Sequence, residues 1–169
     1  MTDARFTGAQ WRSVEGSRDV SRVRHGVLQR LHQLHVAGGD LDDAELMVGE
    51  LVANAVRHGA DPVGVVVWLA GAACAVVEVR DAGRGMPELP SVKDPAEIDP
   101  LSEGGWGLAL VTRLSRGRCG VEVLPVGKSV WFALPLAGKT AGSSPIPPSE
   151  AMAVLVKERI RAETAHGRV

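Results

Sequence analysis

Glu50, Asn54 and His58 recur at every fourth position of the stretch Glu50-Leu51-Val52-Ala53-Asn54-Ala55-Val56-Arg57-His58-Gly59. At about 3.6 residues per helical turn, that spacing stacks a carboxylate, an amide and an imidazole on one face. The neighbours Leu51, Val52 and Ala55 are apolar. Charged and amide groups among apolar ones are costly unless something satisfies them. A hard cation such as Mg²⁺ does so, because it takes oxygen ligands and keeps several waters. The plain alternative is a solvated polar stripe. Two further stretches carry chemistry. Asp81-Ala82-Gly83-Arg84-Gly85 sets a carboxylate before two glycines. Gly104-Gly105-Trp106-Gly107-Leu108-Ala109-Leu110 is a glycine-rich loop that opens a helix, so its amides face an anion at the positive end of the helix dipole. Taken alone, such a loop is a weak signal for phosphate.

The elements that must position these groups follow from periodicity. Phe6 and Trp11 fall in a short strand over 5–12. Ser17 or Asp19 is suited to cap a helix carrying Val20, Val23, Val27, Leu31 and Leu34. Gly38 and Gly39 are expected to stop it. Asp40 or Asp42 is then expected to cap the helix that bears Glu50 and Asn54 and ends at Gly59. Val63–Ala70 and Cys74–Asp81 read as strands, and period two places Asp81 on the face of Val77 and Val79. A long Gly- and Pro-rich loop follows, with residues 86–104 expected to act as a lid hinged on glycines. A helix over 107–114 and a hairpin of Val121–Leu124 with Ser129–Leu134 come next. Trp68 and Trp131 share the sheet face opposite the helices, where an exposed aromatic patch would mark a contact surface and the terminal helix is one candidate cover. Residues 137–149 read as a flexible linker and 150–169 as a terminal helix and tail, with Met152, Leu155, Val156 and Ile160 apolar.

In this order the three chemical stretches resemble the GHKL ATPase superfamily. Glu50 to Asn54 is similar to its N box, Asp81 to Gly85 to its first glycine box, and Gly105 to Gly107 to its second. Gly127-Lys128-Ser129 falls where a third lies. The wording of residues 50–59 is most similar to the anti-sigma-factor serine/threonine kinases. The resemblance covers residues 5–136, which sets the expected ATP-binding domain. It implies the Bergerat fold, an α/β two-layer sandwich with a mixed, mostly antiparallel sheet and helices on one face. It also implies ATP and Mg²⁺ as cofactors. On that pattern Asn54 is the magnesium ligand and Glu50 the catalytic base. Asp81 accepts from the adenine amino group, with Gly83, Gly85 and Met86 close to the base. Gly105, Gly107 and Leu108 serve the phosphates, and Lys93 or Arg84 reaches the γ-phosphate. His58 is taken as a structural cap of the helix end. Many relatives have Thr where this chain has Lys128. Ser129 points to the other face, so the Asp81 contact is expected to rely on water.

The implied partners are a sigma factor and an anti-anti-sigma (STAS-type) protein, with a homodimer as the expected assembly. The rival readings are a nucleotide-gated protein-binding module without kinase activity and a histidine-kinase-like ATPase fragment. The latter is disfavoured because His25, His32 and His35 lie in the first helix rather than in a phosphoacceptor hairpin. Composition agrees with a small regulator. The 169 residues carry a net charge of -1, so no nucleic-acid partner is expected. No apolar run reaches the roughly 18 residues of a membrane span. Met1 to Trp11 lacks an apolar signal core. Two cysteines without a pairing pattern point to a reduced, cytoplasmic setting.

Overall fold

The structure, a computed structural model, describes residues 6–89, 105–137 and 147–165. Its strands are β1 (Phe6–Val14), β2 (Val63–Ala70), β3 (Cys74–Asp81), β4 (Cys119–Val123) and β5 (Lys128–Pro135). They form one sheet in the order β1-β2-β3-β5-β4, with every neighbouring pair antiparallel. The helices are α1 (Val20–Gln33), α2 (Gly38–His58), α3 (Gly105–Leu114) and α4 (Ser149–Ala165). Helices α1 to α3 share one core with one face of the sheet. Val27 and Leu31 of α1 and Val48 and Val52 of α2 bury there with Val65, Val77 and Phe132. This is the expected α/β sandwich.

Two helix starts differ from expectation. Gly38 and Gly39 begin α2 instead of stopping α1. The chain breaks earlier, at His35, whose φ is 64°, and Val36 bridges to Leu136. Ala37 then occupies the cap position in extended backbone without a side-chain cap. Asp40 falls in the first turn, where a carboxylate favours the positive helix end. At the start of α1, Asp19 holds the cap position, but its carboxylate turns outward. It accepts from the Glu15 N–H at 2.9 Å and pairs with Arg22.

Both faces of β3 are covered, and its residues divide between them. Ala75, Val77, Val79 and Asp81 point toward α1–α3, while Cys74, Val76, Glu78 and Arg80 point away. Helix α4 lies on that second face. Its residues Met152, Val156 and Ile160, at i, i+4 and i+8, form a stripe that buries against Trp68, Val76 and Trp131. Both tryptophans are fully covered, so this face is closed by the candidate terminal helix instead of forming an exposed aromatic patch. The same interface holds charge. Arg159 of α4 donates to Glu78 at 2.7 Å, and so do Trp68 Nε1 at 2.6 Å and Ser129 Oγ at 2.9 Å. Arg80 bridges Glu78 and Glu163 at 2.7 and 2.8 Å, and Arg159 also pairs with Glu163. Two carboxylates and two guanidiniums thus close a neutral ring, as buried ions require. Burial pulls the Arg80 pKa down, but Glu78 and Glu163 more than reverse this and leave it raised.

Candidate functional site

A cleft of about 430 Å³ opens between the C-terminal half of α2, the ends of β3 and β5, the chain after β3, and α3. Leu51, Ala55, Val79, Leu108 and Val130 supply an apolar lining. Asn54, His58, Asp81, Glu88 and Lys128 add the polar groups. A volume in this range and a mostly apolar wall with few polar groups fit a small-molecule site.

Asp81 closes the core-facing row of β3 and is almost completely buried at 3% exposure. Its carboxylate accepts the Gly83 N–H at 2.8 Å, a local turn that asparagine and aspartate commonly make. Directly across the strand pair stands Lys128, and its Nζ lies 2.8 Å from the same Asp81 oxygen, Oδ1. A direct ion pair therefore stands at this end of the cleft. Lys128, read in the sequence only as a departure from the third glycine box, lines the cleft. The signal for it is parity, since it shares a face with Val130, Phe132 and Leu134.

Glycine shapes the walls where side chains would collide. Gly127 precedes Lys128 with φ +81°, and a Cβ there would run into the Asp81 carbonyl oxygen and lie 2.6 Å from the Ala82 Cα. Only glycine lets the β4–β5 turn approach β3 this closely. Gly107 faces a side chain rather than backbone. A Cβ at Gly107 would collide with Glu50 Oε2 and sit 3.4 Å from the Asn54 amide nitrogen. The first turns of α3, which begins at Gly105, therefore rest on the Glu50–Asn54 face of α2.

Of the residues expected at a site, Asn54, Asp81, Gly85, Met86 and Leu108 line this one cleft. Gly83 touches Asp81. Glu50 is half-buried against Gly107, one turn before Asn54. Lys93 and most of the expected lid lie outside the described residues. His58, expected to cap α2, makes no such bond among the described residues. The Gly59 N–H closes the helix on Ala55 O at 2.9 Å, and His58 lines the cleft. Gly59, Pro87 and Glu88 complete the lining. Asn54 Oδ1 accepts from Arg57 at 3.3 Å, a long bond.

A helix-borne Asn and a strand-end Asp thus share one cleft beside a glycine-opened helix. The model of the histidine kinase-like ATPase domain matches residues 16–133. The chain belongs to that family. Among solved structures, the fold resembles that of the RsbU and RsbW domains of Rv1364c from Mycobacterium tuberculosis, at 20% identity and a TM-score of 0.53. That likeness covers 77% of this chain and 33% of the other, so the chain spans about a third of that structure's length. No curated protein matches the chain. As a histidine kinase-like ATPase domain, it carries the family's α/β sandwich beneath an added fourth helix. Among the described residues, no helix is long and apolar enough to cross a membrane.

Proposed function

We propose that this chain is an ATP- and Mg²⁺-binding bacterial regulator that phosphorylates a Ser or Thr of a STAS-type anti-anti-sigma protein and sequesters a sigma factor. The observation that carries the reading is that Asp81, Asn54 and Leu108 share one cleft while Glu50 and Gly107 meet beside it. Asp81 supplies an acceptor for the adenine amino group, and the apolar walls enclose the base. Gly83, Gly85 and Met86 border the base. The first turns of α3, at Gly105, Gly107 and Leu108, offer amides to the phosphates, with Lys93 as a further cation. Asn54 fits a magnesium ligand, because an amide oxygen suits a hard cation that brings phosphates and waters of its own. Held there, Mg²⁺ would supply charge neutralisation on the phosphates. Glu50 takes the proton of the attacking hydroxyl as the new O–P bond forms and ADP leaves.

We take residues 5–136 as the ATP-binding domain, 137–149 as its linker and 150–169 as the terminal helix and tail. The proposed setting is cytoplasmic and the assembly a homodimer.

The test is incubation with labelled ATP, Mg²⁺ and an anti-anti-sigma protein. Label should reach a Ser or Thr of that protein. Asn54→Ala should abolish magnesium-dependent ATP binding, whereas Glu50→Ala should keep binding and lose transfer. Transfer at the parent rate by Glu50→Ala would remove Glu50 as the base. ATP binding with no transfer by the parent protein would leave a nucleotide-gated binding module.

A further inference from the structure

The polar floor of the cleft is made of two residues that face each other across β3 and β5. Asp81 accepts two hydrogen bonds among the described residues, from Gly83 N–H and from Lys128 Nζ, and both end on Oδ1. Its second oxygen, Oδ2, is left as an acceptor. Lys128 has three protons to give. One goes to Asp81 at 2.8 Å, and a second reaches the Gly83 carbonyl only at 3.4 Å, which is a weak bond. The third finds no acceptor among the described residues, although the side chain is nine-tenths buried and lines the cleft. An acceptor and a charged donor therefore stand side by side on one surface. That is the complement of the edge of adenine, where the amino group on C6 donates and ring N1 accepts.

We infer that Lys128 is a base-reading residue, which donates directly to N1 of the purine while Asp81 takes the amino proton. This deepens the adenine-nucleotide reading of the cleft and rests on it. The ion pair orients the ammonium, because Asp81 Oδ1 and the Gly83 carbonyl hold two of its protons and direct the third outward. The turn at Gly127 brings Lys128 this close, since any side chain there would meet the Asp81 backbone. A shorter donor such as a hydroxyl, set at the same position, would need a water to bridge the gap.

The experiment compares ATP with 1-deaza-ATP, in which ring N1 is replaced by C–H and the amino group is kept. Both are titrated calorimetrically into the full chain and into Lys128→Met. The parent should bind 1-deaza-ATP about ten- to a hundredfold more weakly than ATP, as expected for one lost charge-assisted hydrogen bond. In Lys128→Met the gap should close to within about twofold, whatever happens to absolute affinity. Equal affinities in the parent would overturn the inference. So would a gap that survives in Lys128→Met with both nucleotides weakened alike, which would make Lys128 a partner of Asp81 and nothing more. If Lys128→Met does not fold, Lys128→Gln keeps a neutral donor and should narrow the gap without closing it. An unchanged gap there counts against the role. The adenine-site reading fails separately: no binding of ATP at all removes the site, whereas tight ATP binding without discrimination removes only Lys128.

Discussion

Arg159 Nη1 lies 2.7 Å from Glu78 Oε1, although 81 residues separate the two in the chain. Glu78 is fully buried, and Arg159 also stacks over the Trp68 ring at 5.1 Å. The pair fixes α4 to the face of the sheet that α1–α3 leave free. Arg159→Ala removes one positive charge from a neutral ring and leaves Glu78 short of a partner. The expected loss is about 3–5 kcal/mol in urea unfolding, the range for breaking a buried pair from one side. A loss under about 1 kcal/mol would mean that α4 is held by its apolar stripe alone.

Gly107→Ala separates stability from chemistry. Alanine is the better helix former by up to about 1 kcal/mol, and the atom that its methyl would strike is the mobile tip of Glu50. The melting temperature should therefore stay close to the parent's, while phosphoryl transfer falls at least about tenfold because the base is displaced. Unchanged transfer would show that Glu50 does not need its present position.

Asp81→Asn should weaken ATP binding by about 1.5–3 kcal/mol, the contribution of a hydrogen bond to a charged acceptor. It should also lower stability, since it strips the buried Lys128 ammonium of its counter-charge. Adding Lys128→Met to Asp81→Asn should recover stability but not ATP affinity. Thermal melts and calorimetry on the same samples check both halves.

Glu122 on β4 brings a pH dependence of its own. Burial pushes its carboxyl above the ordinary value of 4.5, and Lys157 on α4, 3.7 Å away, offsets only part of that. The folded state thus holds this proton more tightly than the unfolded one. Stability falls as pH rises from the ordinary value through the raised one, and stays lower above it. Glu122→Gln should flatten that slope. Urea midpoints across the window, identical in slope for parent and variant, would exclude the contribution.

The parity of strand residues makes much of this molecule legible in its sequence. It puts Asp81 beside Val77 and Val79, and Trp68 and Trp131 on the opposite face. Helix spacing puts Glu50 and Asn54 in one column. What parity does not carry is distance across the chain. Lys128 is 47 residues from Asp81, and only the antiparallel pairing of β3 with β5 sets them face to face. Glu78 and Arg80 alternate along β3 like residues of a solvated face, so nothing local in that strand announces that α4 covers them. The start of α2 is obscure for a different reason. A Gly-Gly pair is a common helix stop, but here His35 has already turned the chain, and the glycines are free to join the next helix.

Helix α4 also sets an order of events during synthesis. Its partners Glu78 and Arg80 leave the ribosome 81 and 83 residues before Arg159 and Glu163 respectively. From the end of β5 at Pro135 to the end of α4 at Ala165, thirty more residues must be added, which at roughly 5–20 residues per second takes about 1.5–6 s. Until α4 emerges, the face that carries Trp68 and Trp131 lacks the cover that it has in the folded chain. Glu78, Arg80 and Ser129 stand among those rings, so the nascent face presents ions that water solvates well and that another sheet accommodates poorly. The same charges that lock α4 in place thus also disfavour the packing of another sheet on the uncovered face.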